Sequence, residues 1–305
     1  MRTIGTFIRH ACLFALPAGV VYFGSWALLP STAVEAFQCL QDHQQDKIEY
    51  VREVETVFIG DSSLGHAIDA EYFSELSGGR ALNVALTGYY GYTGSYNFLK
   101  QVHRNNPGLR RVVLIQSLDM PVRGVSYRGY THTMDELGDF TELTLSEMRH
   151  VLPILAGNNS RLRDHLRNAL KSADEAPKPC SELIENDYMQ QGDLALSKWP
   201  EQGLRPDQLR PENLHFLAHI ARYCADHELQ ITYVHGPVFE DLVFPSQEYT
   251  DKLNQQIESL GISLVPEPVG IPLEQVGDTI NHVRPQFKRA YTERYWSRLA
   301  PSWVP

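Results

Sequence analysis

The chain has 305 residues, 43% hydrophobic and 21% charged, enough apolar material for one large domain or two small ones. Its net charge is −10 and it has no block of Lys or Arg, which argues against nucleic acid as a main partner. There is no internal repeat and no low-complexity tract.

Residues 11–30, ACLFALPAGVVYFGSWALLP, carry no charge, and Arg2, Arg9 and His10 precede them. A helix of ~20 residues at ~1.5 Å each spans the hydrocarbon of a bilayer. Positive charge before it, and Glu35, Asp42 and Asp46 after it, place the N-terminus in the cytoplasm and the rest outside. The expectation is a cytoplasmic tip and transmembrane anchor over 1–30, a juxtamembrane segment over 31–50, and a periplasmic or extracellular domain over 51–305. A cleaved signal peptide is the rival reading, with STAVEA a weak cleavage site, and a buried core helix is a third. Cys12, Cys39, Cys180 and Cys224 show no metal-ligand spacing, and one disulfide is compatible with them without the sequence choosing it.

A first strand is predicted over 56–59, in ETVFIG, and a helix with Leu64, Ile68, Phe73 and Leu76 inward runs to Gly78-Gly79. RALNVAL reads as the second strand, TGSYNFLKQVHRNN as a helix, and RRVVLIQSLD as the third strand. The pattern loosens over about 120–211, where LTLSEMRHVLPILAG and NSRLRDHLRNALKSA look helical, and an insertion at one end of the sheet is expected. Then come the helix ENLHFLAHIARYCADHE, the strand LQITYVHGPV, the helix QEYTDKLNQQIESLG, the strand ISLVPEP and the closing helix PQFKRAYTERYWSRLA. Five strands alternating with helices predict an α/β fold, a three-layer α/β/α sandwich on a mostly parallel sheet.

Function in such sheets gathers at the carboxyl ends of strands. Asp61-Ser62-Ser63 falls there, with Thr87-Gly88, Ser117-Leu118-Asp119, His235-Gly236-Pro237 and VGDTINHVRP. A serine, glycine N–H groups, histidines and aspartates are the types that acyl transfer needs: nucleophile, oxyanion donors, base and orienting carboxylate. Capping of a helix by Asp61 or Ser62 is the plainer account of the first of these turns.

FIGDSSLGHAID resembles the first block of the SGNH, or GDSL-type, esterase and acyltransferase superfamily, NVALTGYYGYTG the second and GDTINHVRPQFKRAYTERYW the last. The likeness covers about 51–299, except the insertion, and implies a flavodoxin-like scaffold. It implies Ser62 as nucleophile, His282 as base, Asp278 as its orienting carboxylate, and Ser62 and Gly88 N–H groups as the oxyanion hole. Two departures stand out. The carboxylate usually lies three residues before the histidine, whereas position 279 is threonine and Asp278 lies four before. The third block usually supplies a side-chain amide, whereas LIQSLDMP offers Ser117 or Asp119. An oxyanion hole resting on the Ser62 and Gly88 N–H groups resembles that of divergent, membrane-anchored relatives that move or remove acyl groups on envelope polymers.

Asp61, Tyr89, Ser117, Asp119 and His235 are the further rim residues expected to meet substrate, His235 being equally well read as a satisfied strand-end residue, and Tyr89, Tyr90 and Tyr92 either stack on sugar rings or pack internally. His66, one turn past Ser62, is expected on the helix surface, and Asp69 as a cap or in solvent. His215 and His219 lie i, i+4 on one helix, but no third metal ligand presents itself, so neither metal nor cofactor is expected. The resulting expectation is a serine esterase or O-acyltransferase, acetyl being the expected acyl group, on extracytoplasmic polysaccharide. Its partners would be an acyl donor, a carbohydrate polymer and a membrane-bound O-acyltransferase. The alternative is a non-catalytic carbohydrate-binding or assembly protein with a decayed site.

Overall fold

The computed structural model describes residues 36–135, 142–157 and 203–303. In chain order they form α1 (Ala36–Tyr50), β1 (Thr56–Gly60), α2 (Ser62–Ala67), α3 (Ala70–Ser77), β2 (Ala81–Asn83), α4 (Gly91–Asn105), β3 (Arg111–Gln116), α5 (Tyr127–Thr133) and α6 (Leu145–Gly157). After the second gap come α7 (His215–Asp226), β4 (Gln230–His235), β5 (Val238–Phe239), α8 (Gln247–Ser259), β6 (Ser263–Val265), β7 (Gly270–Ile271) and α9 (Lys288–Trp303). The predicted anchor over 1–30, the helix expected at 159–173, Cys12 and Cys180 lie outside the described residues. Among the described residues no helix is long and apolar enough to cross a membrane.

The main sheet runs β2-β1-β3-β4-β6, every neighbouring pair parallel. Its central strands are short and apolar because both faces are covered. Val57 and Ile59 of β1, Val112 and Leu114 of β3, and Tyr233 of β4 pack with Ile48, Phe98, Leu217 and Leu253 of α1, α4, α7 and α8. The intervening Phe58, Val113, Ile115 and Val234 pack with Leu64, Phe73, Tyr291 and Tyr295 of α2, α3 and α9. That alternation makes three layers, with one apolar core on each face. Phe73 anchors the second core, its ring 4.7 Å from Phe58 and 5.4 Å from Trp296; cutting it to Ala would cost about 3–5 kcal/mol.

Two local results differ from the sequence expectation. The helix expected over 64–78 is two helices, because Ile68 turns extended and Asp69 caps α3 by accepting from Tyr72 N at 3.1 Å. Residues 36–50 are helix α1 built onto the domain, with Ile48 fully buried and the Gln44 amide donating to Ala85 O at 2.7 Å. The folded unit therefore starts before residue 51. Cys39 is disulfide-bonded and Cys224 is a buried free thiol.

The strand order reverses between β1 and β3, with β2 on one side and β4 and β6 on the other. In such sheets the crevice outside the carboxyl ends of the two strands at the reversal is the binding place. Register brings the strand ends level there, Gly60 opposite Ile115 and Gln116 opposite His235. Gly60 is glycine because a Cβ would lie 1.7 Å from the Ile115 carbonyl oxygen. The chain thus leaves β1 hard against β3.

Candidate active site

Ser62 follows β1 by two residues and opens α2. Asp61 before it is the cap: Oδ1 accepts from Ser63 N at 3.0 Å and Ser63 Oγ at 2.5 Å, and Oδ2 from Ser117 N at 2.9 Å and Ser117 Oγ at 2.6 Å. One buried carboxylate therefore ties the loop after β1 to the loop after β3. Capping falls to Asp61 and leaves the Ser62 hydroxyl for another partner.

That partner comes from 220 residues away. His282 Nε2 lies 2.8 Å from Ser62 Oγ, and His282 Nδ1 lies 2.7 Å from Asp278 Oδ1. The four-residue spacing closes because the segment is a hairpin: Val276 bridges Val283 antiparallel, Gly277 N donates to His282 O at 2.7 Å, and His282 N donates to Thr279 O at 3.1 Å. The extra residue is absorbed in that turn. Partial burial works to raise the Asp278 carboxyl, but the hydrogen bond and charge of His282 outweigh it and hold the group below the usual carboxylate range.

His66 does not face solvent as expected. It is buried, and its ring stacks on His282 with centroids 4.0 Å apart and planes 17° from parallel. Burial, reinforced by the neighbouring His282, pushes its pKa down to about 3, and it hydrogen-bonds the backbone of Val283. His66 is thus a neutral plate behind the imidazole. Nothing in a six-residue helix marks which face a distant segment will cover.

Ser62 and His282 open on a cavity of about 400 Å³, also lined by Ser117, Asp119, Arg123 and Asn281. Arg123 was missed by the sequence reading. Its guanidinium packs on Gly88, where a Cβ would lie 2.1 Å from Nη1, and it donates to Asp119 Oδ2 from Nε at 3.0 Å and Nη2 at 2.8 Å. Burial opposes its charge, yet the Asp119 carboxylate more than compensates and raises its pKa. Among the described residues neither the Ser62 nor the Gly88 N–H donates to a protein acceptor. Asn281 also reaches the cavity, its Oδ1 accepting from Thr279 Oγ1 at 2.6 Å.

The other predicted rim residues divide. Asp119 lines the cavity; Ser117 does too, with its hydroxyl committed to Asp61. Asp61 is buried under its four donors rather than facing substrate. His235 is fully buried outside the cavity lining, Nε2 2.7 Å from Asn254 Oδ1, with burial lowering its pKa to about 4. Tyr89 is half exposed and turns edge-on to Tyr90, while Tyr90 and Tyr92 are packed inside. Elsewhere, Glu147 of α6 reaches both His215 and His219, a third donor the sequence did not offer. No family model matches this chain, and no curated protein matches it.

Proposed function

We propose that this protein is a serine acyl-ester hydrolase or O-acyltransferase of SGNH type. The observation that carries the reading is the relay Ser62 Oγ, His282 Nε2, His282 Nδ1, Asp278 Oδ1, at 2.8 and 2.7 Å, opening on the cavity at the strand-order reversal. Ser62 Oγ attacks the ester carbonyl carbon while His282 Nε2 takes its proton, and the Asp278 carboxylate stabilises the imidazolium formed. The tetrahedral oxyanion is met by the Ser62 and Gly88 N–H groups, with the Arg123 cation beside them. Collapse expels the alcohol, which takes the proton from His282 and leaves an acyl ester on Ser62. Water or a sugar hydroxyl then attacks that ester, giving up its proton to His282, which passes it to Ser62 Oγ as the serine leaves. A buried, neutral His66 keeps the imidazole in place without adding a competing charge.

The decayed-site alternative drew on the four-residue spacing and on the missing side-chain amide of the third block; the 2.7 Å contact between His282 and Asp278 speaks against the first, and the second still favours it. The proposed setting remains extracytoplasmic: an N-terminal membrane anchor, an envelope polysaccharide as acyl donor or acceptor, acetyl as the acyl group, and a membrane-bound acyltransferase as supplier. That setting is supported by the apolar run at 11–30 and the likeness of motifs to anchored relatives. Hydrolysis of p-nitrophenyl acetate by the purified chain is the test. Wild type should turn over and Ser62→Ala should fall to the uncatalysed rate, and a fluorophosphonate should label Ser62 alone. Equal rates for the two proteins would end the enzyme reading.

A further inference from the structure

On the face of the molecule formed by α6 and α7, Glu147, His215 and His219 converge. Glu147 is N3 of α6, and Thr144 and Glu147 form a reciprocal cap: Thr144 N donates to Oε2 at 2.7 Å, and Glu147 N to Thr144 Oγ1 at 3.3 Å. That cap uses Oε2 alone. Oε1 points across to α7, 2.9 Å from His215 Nε2 and 3.4 Å from His219 Nε2. Spacing of i, i+4 puts both imidazoles on one helix face.

A helix-capping glutamate needs no such company, and the polar bookkeeping does not close. Glu147 is buried, and neither its Oε1 nor the buried Nε2 of His219 finds a hydrogen bond of acceptable geometry. Two unsatisfied buried polar atoms facing each other cost several kcal/mol unless something lies between them. The three ligand atoms all lie within 4.8 Å of one another. Ligands ~2.0–2.1 Å from a tetrahedral centre stand ~3.3 Å apart, near the 3.4 Å between Glu147 and His219, and His215 need open by only a few tenths of an ångström. His215 and Glu147 also line a cavity of about 710 Å³, so a fourth position is accessible to water.

We propose that Glu147, His215 and His219 form a divalent transition-metal site, with zinc as the fitting ion and water as its fourth ligand. The donor set of two neutral imidazoles and one carboxylate suits zinc better than calcium or magnesium, which prefer oxygen. The ion would clamp α6, which lies within the insertion, onto α7. The site is separate from Ser62 and His282 and stands whether or not that pair is catalytic.

The test uses the full chain, dialysed against chelator and then titrated with Co²⁺ and Zn²⁺. Wild type should take one equivalent of Co²⁺ with the intense visible bands of a tetrahedral site, zinc should displace it, and zinc should raise Tm. His219→Ala and Glu147→Gln should weaken binding by at least ~100-fold, and His215→Ala, at a half-exposed position that folding tolerates, by at least ~10-fold. A second cluster, His66, Asp278 and His282, could also capture the probe, so His282→Ala should bind as wild type does. The proposal is overturned if wild type binds neither ion tighter than ~100 µM, if His215→Ala binds unchanged, or if His282→Ala abolishes binding.

Discussion

Replacing Asp278 with asparagine keeps the shape of the hairpin and removes the charge next to the imidazole. Oδ1 lies 2.7 Å from His282 Nδ1, which puts the two charge centres of the imidazolium form about 4 Å apart. At an effective dielectric of ~20 that attraction is ~4 kcal/mol; with the Asp278 side chain 37% exposed, water screens roughly half, leaving ~2 kcal/mol. Asparagine adds a second penalty. Its amide can donate to Nδ1, which moves the ring hydrogen to Nε2, and Nε2 can then no longer accept from Ser62. Together these should lower kcat for p-nitrophenyl acetate by between ~30-fold and ~10³-fold, with KM nearly constant. The assay is steady-state hydrolysis from pH 6 to 9, with a thermal melt to show that the variant is folded. A folded Asp278→Asn enzyme within threefold of wild type would refute the relay and leave Asp278 as a surface partner.

Acid should weaken the fold through two buried histidines. His66 and His235 have folded pKa values of about 3 and about 4, against ~6.5 unfolded, so the unfolded chain binds more protons between pH ~4 and ~6.5. Stability is therefore full above ~6.5 and falls as pH drops through that window, by up to ~1.4 kcal/mol per pH unit for each histidine; urea midpoints should show this, and His235→Gln should remove about half the slope. Gly60→Ala should cost at least ~3 kcal/mol in urea unfolding or abolish soluble protein, since the neighbour at 1.7 Å is backbone and cannot step aside; a wild-type midpoint would show that β1 and β3 can part there. Arg123→Gln should lower kcat/KM about tenfold or more with an unchanged thermal melt, and unchanged kinetics would remove the guanidinium from the site.

The parts of the site carried by local pattern were legible. β1 and β3 read as strands because both faces are buried and their central residues, 57–59 and 112–115, are apolar. The Gly-Asp-Ser turn was legible because a strand that ends beside another leaves room only for glycine. What lay beyond local pattern was not. His66 sits on a helix too short to show an apolar stripe, and its partner is 216 positions away in sequence. Arg123 reaches Gly88 across the β3 loop, and no spacing rule links them. Glu147 joins His215 and His219 from within the long insertion, so the pair on one helix looked incomplete.

The same distinction explains how a carboxylate four residues before His282 reaches its Nδ1. In a helix, a shift of one position rotates a side chain by about 100°, and the carboxylate would leave the ring. In the hairpin closed by Val276 and Val283, residues 277–282 only need to return the chain to the same strand pair, and Thr279 fills the added position. Its carbonyl accepts from His282 N, and its hydroxyl donates to Asn281, so the extra residue satisfies the turn rather than straining it. Distance between functional atoms is therefore set by the bridge at the base of the loop, not by the number of residues within it. Deleting Thr279 would put Asp278 three residues before His282 and should reduce activity, because the turn would lose both of those bonds and Asp278 would be drawn away from Nδ1. If the deletion variant hydrolysed p-nitrophenyl acetate as fast as wild type, the hairpin would not be what holds Asp278 against His282.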